Sequence, residues 1–229
     1  MKIENTISTL YQIAPAVDTF TNMESFKKLT ERKLPDVDLP LLKLANLIRE
    51  LETEQRLQGA KSSGKGNPMK IAEKILKRGA KVKEALGYAE IDGDYQYISD
   101  SYLCICYDKG NHLPLEPMPK NILPIGCERF FPQAKGEPIE LPDLKALKNY
   151  IKMQKALNKS IKGYTVVFDF GVGRNPFNAQ LLAEIMEMLP NAKAEIVGYQ
   201  LMFKDKQGNK GLLCGVRTPA SHIRRKTEI

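Results

Sequence analysis

The sequence predicts an α+β fold of two halves, each made of one helix followed by about three antiparallel strands. Three observations support this prediction. Apolar residues recur at helical spacing in a few separate stretches. Short apolar runs bounded by turn residues follow them, and Asp92-Gly93 between two such runs is a strong hairpin signal. Strands and helices do not alternate one for one, as a parallel sheet would require.

The composition indicates a soluble globular protein. Of the 229 residues, 42% are hydrophobic and 27% are charged, and the formal net charge is +8. No run of about 18 apolar residues could form a transmembrane helix. The amino terminus has no apolar signal-peptide core, so we expect a cytoplasmic protein without a membrane partner.

A soft linker rich in Gly, Ser and Asn occupies residues 59–68. It divides the chain into a helical, hairpin-like segment with its linker (1–66) and an α+β domain (67–229). Residues 1–68 carry 10 basic and 9 acidic side chains, whereas 69–229 carry 25 and 18. The excess positive charge therefore belongs to the second domain.

The helices follow from apolar periodicity. In the first segment, Leu41, Leu44, Ile48 and Leu51 predict a helix, and a shorter one is expected near 23–29. Later helices are predicted at 69–86, at 143–159 behind Pro142-Asp143, and at 178–189.

The strands are predicted from short apolar runs at 87–91, 95–99, 101–107, 164–170, 193–199, 200–205 and 211–217. The turn Gln207-Gly208-Asn209 separates the last two. Seven prolines in 110–142 predict an extended connector. The basic tail at 224–226 is expected to fray.

Two columns of basic residues are the most informative feature. Like charges one turn apart destabilise a helix, so a compensating anion is expected, and a duplex phosphate backbone is the obvious candidate. A solvated helix face is the alternative. The candidate DNA-binding residues are Lys70, Lys74, Lys77, Arg78 and Lys81 in one helix and Lys148, Lys152 and Lys155 in the other, whose column also includes Lys145 and Lys159.

Signals for catalysis or metal binding are weaker. Gly171-Val172-Gly173 between a strand and a helix resembles part of a phosphate-binding loop but lacks the third glycine. The carboxylates that a metal-dependent nuclease could use are Asp92, Asp94, Asp100 and Asp108. His112 and His222 have no nucleophile or metal-ligand spacing.

The four cysteines are Cys104, Cys106, Cys127 and Cys214. Their spacing does not match common zinc sites, although zinc and disulfide chemistry stay open. Cys104 and Cys106 are expected on one face of a strand, as half-buried free thiols. We therefore predict no cofactor and no metal.

The carboxyl-terminal third resembles the last domain of bacterial DNA polymerase sliding clamps. The resemblance lies in residues 177–182 (Phe-Asn-Ala-Gln-Leu-Leu), the helix ending at Leu189-Pro190, and the strand 211–217 ending in Arg217. Upstream, residues 97–102 are similar to the family's Thr-Asp-Gly-x-Arg turn. The segment from Met69 onward also looks like clamp-like proteins of phages and bacterial mobile elements.

The resemblance implies two helix-plus-sheet halves with helices lining a basic, DNA-facing surface. It also implies an apolar partner groove near Leu182, Val216 and Arg217. Gly215, Cys214 and Leu181 replace the family's proline, methionine and tyrosine there. Since the segment is about one clamp domain long, a ring would require a homo-oligomer, or no ring forms.

The leading hypothesis is a non-enzymatic protein that contacts double-stranded DNA without sequence readout, with a processivity or accessory role in replication. The alternative is a mobile-element interaction module that binds host replication or defence proteins through the groove or the helical segment. A phosphate-handling enzyme or nuclease, built on the Gly171 turn and the aspartates, ranks third.

Overall fold

The computed structural model describes residues 51–62, 64–116, 118–161, 163–171 and 174–216. Backbone contacts divide the chain into two units, Met1–Gly66 and Asn67–Ile229. In the first unit, residues 51–62 are helical, and the amide of Lys65 donates to the carbonyl of Ala60 at 2.7 Å. The linker predicted at 59–68 is therefore wrong in extent, because 59–62 continue this helix and 66–68 belong to the next one. The helices predicted at 23–29 and 41–50 lie outside the described residues, as does the basic tail.

The α+β prediction is confirmed by a seven-stranded antiparallel sheet with helices. The spatial order of its strands is β1-β2-β3-β9-β8-β7-β4. Their bounds are β1 (Glu90–Asp92), β2 (Tyr95–Ser99), β3 (Leu103–Asp108), β4 (Glu137–Ile139), β7 (Lys193–Val197), β8 (Gln200–Lys204) and β9 (Lys210–Cys214). Two antiparallel meanders, β1–β3 and β7–β9, meet where Leu103 pairs with Leu213 and Cys106 with Lys210.

The helix α1 (Gly66–Gly79), which follows the helical residues 51–62, is shorter than predicted. Its apolar face buries Met69, Ile71 and Ile75. The predicted continuation to residue 86 is wrong, because the chain turns after Gly79 and forms a short 3₁₀ helix at Glu84–Gly87. As a result Val82, which lies in this turn, is 61% exposed.

Two more helices complete one layer. The helix α2 (Leu144–Leu157) starts at Asp143, whose carboxylate accepts from the amide of Ala146 at 2.8 Å. The helix α3 (Ala179–Met188) starts at Asn178, whose side chain accepts from two backbone amides of the first turn. Seven of the ten residues of α3 are buried, which is typical of a helix covered on several sides.

The helical layer packs on one face of the sheet. On β9, a methyl group added at Gly211 would lie 3.1 Å from Ile185 of α3, so this face meets the helix closely. On β3, the Tyr107 hydroxyl donates to the carbonyl of Met188 at 3.2 Å. A two-stranded sheet, β5 (Val167–Phe168) with β6 (Phe177–Asn178), precedes α3 and replaces the longer strand predicted at 164–170.

The proline-rich connector between β3 and α2 covers part of the other sheet face. Cys127 of the connector is buried against Tyr97, Cys104, Cys106 and Leu212 of the sheet. The connector is irregular for most of its length, as predicted. Residues 137–139 depart from that prediction, because they form the edge strand β4 and pair with β7. In the described part of the chain, no helix has the length and apolar character that crossing a bilayer needs.

Candidate nucleic-acid interface

The helix α3 lies between α1 and α2. Its polar side chains Glu184, Glu187 and Gln180 contact these two helices. Glu184 pairs with Lys74 and Arg78 of α1, the latter at 2.8 Å. Glu187 accepts from the Asn67 amide of α1 and pairs with Lys148 of α2, each at 3.0 Å. The two basic columns therefore flank one acidic helix and share one surface.

The same surface continues one turn earlier in α3. Gln180 accepts a hydrogen bond from the Lys155 ammonium group at 3.0 Å. Because the amide of Gln180 is neutral, the positive charge of Lys155 is not cancelled by this contact. Lys152 lies between Lys148 and Lys155 on α2 and is exposed.

Arg78 is held by two carboxylates inside the protein. Its guanidinium group donates to Asp100 at 2.7 Å and lies 2.8 Å from Glu184. Burial lowers the pKa of Arg78, but hydrogen bonds and charges from Glu184 and Asp100 outweigh burial and raise that pKa above its ordinary value. Both carboxylates are almost fully buried. Arg78 is therefore the least available of the predicted DNA contacts.

The remaining predicted cations of the first column are exposed. These cations are Lys70, Lys77 and Lys81. Together with Glu73, Lys74 and Arg78 they surround a cleft of about 370 Å³. None of the three forms an ion pair with another described residue. Lys81 lies two residues beyond the end of α1. It therefore lines the same cleft as Lys70 and Lys77 without belonging to their helix.

The prediction that Leu182 borders a partner groove is wrong, because Leu182 is buried. This side chain is 0% exposed in the core of the helical layer, so it cannot contact a peptide at the surface. Val216 is half-buried and lines a cavity of about 450 Å³ with Tyr199 and Gln200. Arg217 lies outside the described residues.

An apolar cavity that the sequence did not reveal opens beside this position. Its volume is about 610 Å³, and it shares Gln200 and Cys214 with the cavity at Val216. Exposed apolar side chains at its wall are Val82, Tyr102 and Phe130. They come from three separate segments, which explains why no sequence pattern marked them.

The candidate nuclease carboxylates do not converge. Asp100 accepts from Arg78 and from the backbone amides of Tyr102 and Leu103, so it fixes the β2–β3 turn. Asp94 pairs with Lys109 at 2.8 Å on the surface. No group of three or more His, Cys, Asp or Glu side chains in the described segments is arranged to hold a metal ion.

The glycine turn also has a local role. The Asp169 carboxylate accepts from the backbone amide of Gly171 at 2.9 Å, which closes the turn at its start. Val172 and Gly173 lie outside the described residues.

The cysteines are free thiols, and three of them are buried. Cys104 and Cys106 lie on one face of β3, as predicted, in the cluster with Cys127, but they are fully buried and not half-buried. A hydrogen bond with Cys127, and then burial, raise the pKa of Cys104, and burial raises the pKa of Cys106. Such thiols are poor nucleophiles at neutral pH because they stay protonated.

The chain was compared with protein-family models, with curated proteins and with solved structures, and none of them matches it.

Proposed function

We propose that this protein is a non-enzymatic, clamp-like DNA-associated protein that contacts the duplex phosphate backbone without reading its sequence. The observation that carries the proposal is the shared surface of α1, α2 and α3, where two basic columns flank one helix. Lysine is suited to this contact, since its ammonium group interacts with any phosphate as a point charge. Backbone contacts of this kind position a protein without specifying a base sequence.

The charge balance of the surface favours a polyanion. Glu184 and Glu187 offset part of the positive charge of Lys74, Arg78 and Lys148 through ion pairs. The exposed cations of the two columns whose charge no ion pair with a described residue offsets include Lys70, Lys77, Lys81, Lys152 and Lys155. We expect these five lysines to make the phosphate contacts, while the three paired cations hold the helices together.

The clamp-like part of the proposal is supported by the pairing of two similar meanders. The helix α1 precedes β1–β3, the helix α3 precedes β7–β9, and the two meanders join through β3 and β9. In a ring, several copies of the chain would surround the duplex with their helical layers inward. A role in replication processivity, in a phage or mobile element, belongs to this proposal.

The test compares duplex binding by two triple variants with the same charge change. Lys70, Lys77 and Lys152 are replaced by Glu in one variant. In the control, Glu replaces three exposed lysines that belong to neither basic column, Lys83, Lys109 and Lys120. Each lost phosphate contact reduces the slope of log affinity against log salt by about 0.9. We expect a reduction of two or more in the first variant. Equal reductions in both variants would contradict the proposed surface.

Ring formation is tested separately by retention of the protein on plasmid DNA at moderate salt. Retention on a nicked circle that is lost after linearisation indicates a closed ring that slides off free ends. Equal retention on both forms excludes topological linkage and leaves a basic surface that touches phosphates. Absence of retention on both contradicts DNA association.

The apolar cavity favours a second candidate function, an interaction module that binds a host replication or defence protein. Val82, Tyr102 and Phe130 expose apolar surface at the cavity mouth, and such surface is typical of a protein contact. The test is titration with a fluorescent peptide from the carboxyl terminus of a host replicative polymerase. Binding that Tyr102→Asp abolishes and the Lys70/Lys77/Lys152 triple variant leaves unchanged would favour this candidate.

A further inference from the structure

A second group of lysines lies on the sheet face opposite the helices. Lys193 of β7 pairs in register with Lys204 of β8, and Lys204 pairs in register with Lys210 of β9. Residues in register project from the same face of a sheet. Lys210 is in turn opposite Cys106, whose side chain packs under the connector. The three lysines therefore form a row across three adjacent strands on the connector face.

The row borders a cavity of about 540 Å³ between the sheet and the connector. Two further lysines reach the cavity, Lys206 from the β8–β9 turn and Lys135 from the connector. None of the five lysines forms an ion pair with another residue in the described segments. Like charges directly opposite each other destabilise a sheet, so this arrangement has a cost that a bound anion would remove.

The two carboxylates at the cavity wall are already engaged with the backbone. Asp205 accepts from the amides of Gln207 and Asn209, at 2.8 and 2.9 Å, and so fixes the β8–β9 turn. Glu195 accepts from the amide of Gly136 at 3.2 Å, where the connector enters β4. Both carboxylates stay charged in these contacts, so five lysines and two carboxylates give the cavity wall a net formal charge of +3.

Aromatic rings lie beside the lysines. Phe131 lines the cavity. The Lys210 ammonium group lies 5.8 Å from the centroid of Tyr95, a ring that is 40% exposed. Cations together with accessible aromatic rings are the combination that binds single-stranded nucleic acid, because phosphates meet the cations and bases stack on the rings.

We infer that the connector face is a second nucleic-acid site, which binds the backbone of a single strand. The cavity volume is in the range of small-ligand pockets, about 300–1,000 Å³, so the site accepts a few nucleotides and not a duplex. A chain of phosphates matches a row of lysines better than one phosphate does. This inference goes beyond the proposed function, since it concerns the opposite face and a different form of nucleic acid.

The test uses the full chain and a fluorescent thymidylate oligomer of about 12 nucleotides, within the span that comparable sites cover. Lys193, Lys204 and Lys206 are replaced by Gln, which removes charge, keeps chain length and relieves the repulsion along the row. We expect oligomer affinity to fall at least about tenfold, and the salt slope to fall by about 2, at ~0.7 per contact for single strands. The matched control replaces Lys83, Lys109 and Lys120, three exposed lysines that do not line the cavity, by Gln and should leave oligomer binding unchanged.

Folding is checked by thermal unfolding, where the Lys193/Lys204/Lys206 variant should melt at or above the temperature of the unmodified protein. If it melts lower, Lys206→Gln alone is used, because Lys206 lies in the turn outside the row. Wild-type oligomer affinity in that variant, or in the triple variant, overturns the inference. So does thymidine triphosphate or a polyglutamate peptide that binds the connector face as tightly as the oligomer. Duplex binding, measured in parallel, reports on the helical surface and can fail independently.

Discussion

Glu184 shows how one residue decides the availability of its neighbours. Its carboxylate is 2% exposed and contacts both Lys74 and Arg78. In the sequence these two cations belong to the same column as Lys70 and Lys77. In the structure they hold α1 against α3, and a buried carboxylate requires such partners because an unpaired buried charge is costly.

Replacing Glu184 by Gln should lower the free energy of unfolding by about 3 kcal/mol, since it leaves a half-buried guanidinium group with one carboxylate partner instead of two. The matched control is Glu187→Gln. Glu187 has more exposed partners, Asn67 and Lys148, so its loss should cost less than about 1 kcal/mol. Urea denaturation measures both, and equal costs would contradict the structural role of Glu184.

At the scale of elements, two contacts decide where α1 ends and how the connector is attached. A methyl group at Gly79 would lie 2.5 Å from the carbonyl oxygen of Leu86 and 2.8 Å from that of Ser99. The chain can turn back over β2 because this position has no side chain. The connector is attached through Glu90, whose carboxylate accepts from the amides of Ile125, Gly126 and Cys127.

Gly79→Ala should destabilise the protein by about 1–3 kcal/mol through overpacking against backbone atoms. The sign of the stability change is informative, because alanine is ordinarily more favourable than glycine in a helix by about 1 kcal/mol. Gly110→Ala is the control, since open space surrounds a side chain there, and it should change stability by less than about 0.5 kcal/mol. A stabilised Gly79→Ala variant would contradict the close approach.

Glu90→Gln should cost about 2–3 kcal/mol, because the amide oxygen that replaces the carboxylate forms weaker bonds to the three amides. Hydrogen exchange at Ile125, Gly126 and Cys127 should accelerate more than exchange in α3. Glu128→Gln, on an exposed side chain of the same turn, is the control and should leave these amides protected. Unchanged exchange in Glu90→Gln would mean that other contacts hold the connector.

At the scale of the whole molecule, the sheet separates two different chemistries. The helical face carries buried ion pairs between α1 and α3. The connector face buries thiols and Tyr97. Burial raises the pKa of Tyr97 and of Cys106, so the buried cluster under the connector favours uncharged side chains, whereas the contacts between α1 and α3 depend on charge.

Stability should therefore fall in alkaline solution. Cys104 and Cys106 have a raised pKa in the folded state, whereas an unfolded thiol titrates near ~8.5. Their contribution is complete below about pH 8.5 and is lost as the pH rises from there toward the folded pKa. The midpoint of urea unfolding should decrease between pH 8 and pH 10.

Cys104→Ala should reduce that decrease, because it removes one of the titrating thiols. Leu212→Ala perturbs the same cluster without a titrating group and should retain the full pH dependence. The same pH dependence in both variants would show that Cys104 is not one of the responsible groups.

The sequence predicted features that depend on neighbours along the chain. The Asp92-Gly93 hairpin, the start of α2 at Asp143 and the order of the last three strands all follow from local turn and capping chemistry. The extent of α1 was overestimated because Gly79 is tolerated in a helical pattern. Its meaning depends on Leu86 and Ser99, which reach it by tertiary packing.

The site required contacts that no local pattern encodes. The two lysine columns were visible as periodicity, but their common surface depends on Glu187, which is 120 residues from Asn67 in sequence. Leu182 looked like a groove residue by resemblance and is core, because α3 is covered on several sides. The lysine row of the connector face depends on strand register, which joins β7, β8 and β9.

The pairing of β3 with β9 has a consequence for biosynthesis. Leu103 and Leu213 are neighbours in the sheet but are translated far apart, so the β1–β3 meander leaves the ribosome long before its partner exists. During that interval β3 has an open hydrogen-bonding edge, and such edges recruit other chains. Because the central pair of the sheet joins strands that are far apart in sequence, we expect this protein to fold slowly for its size.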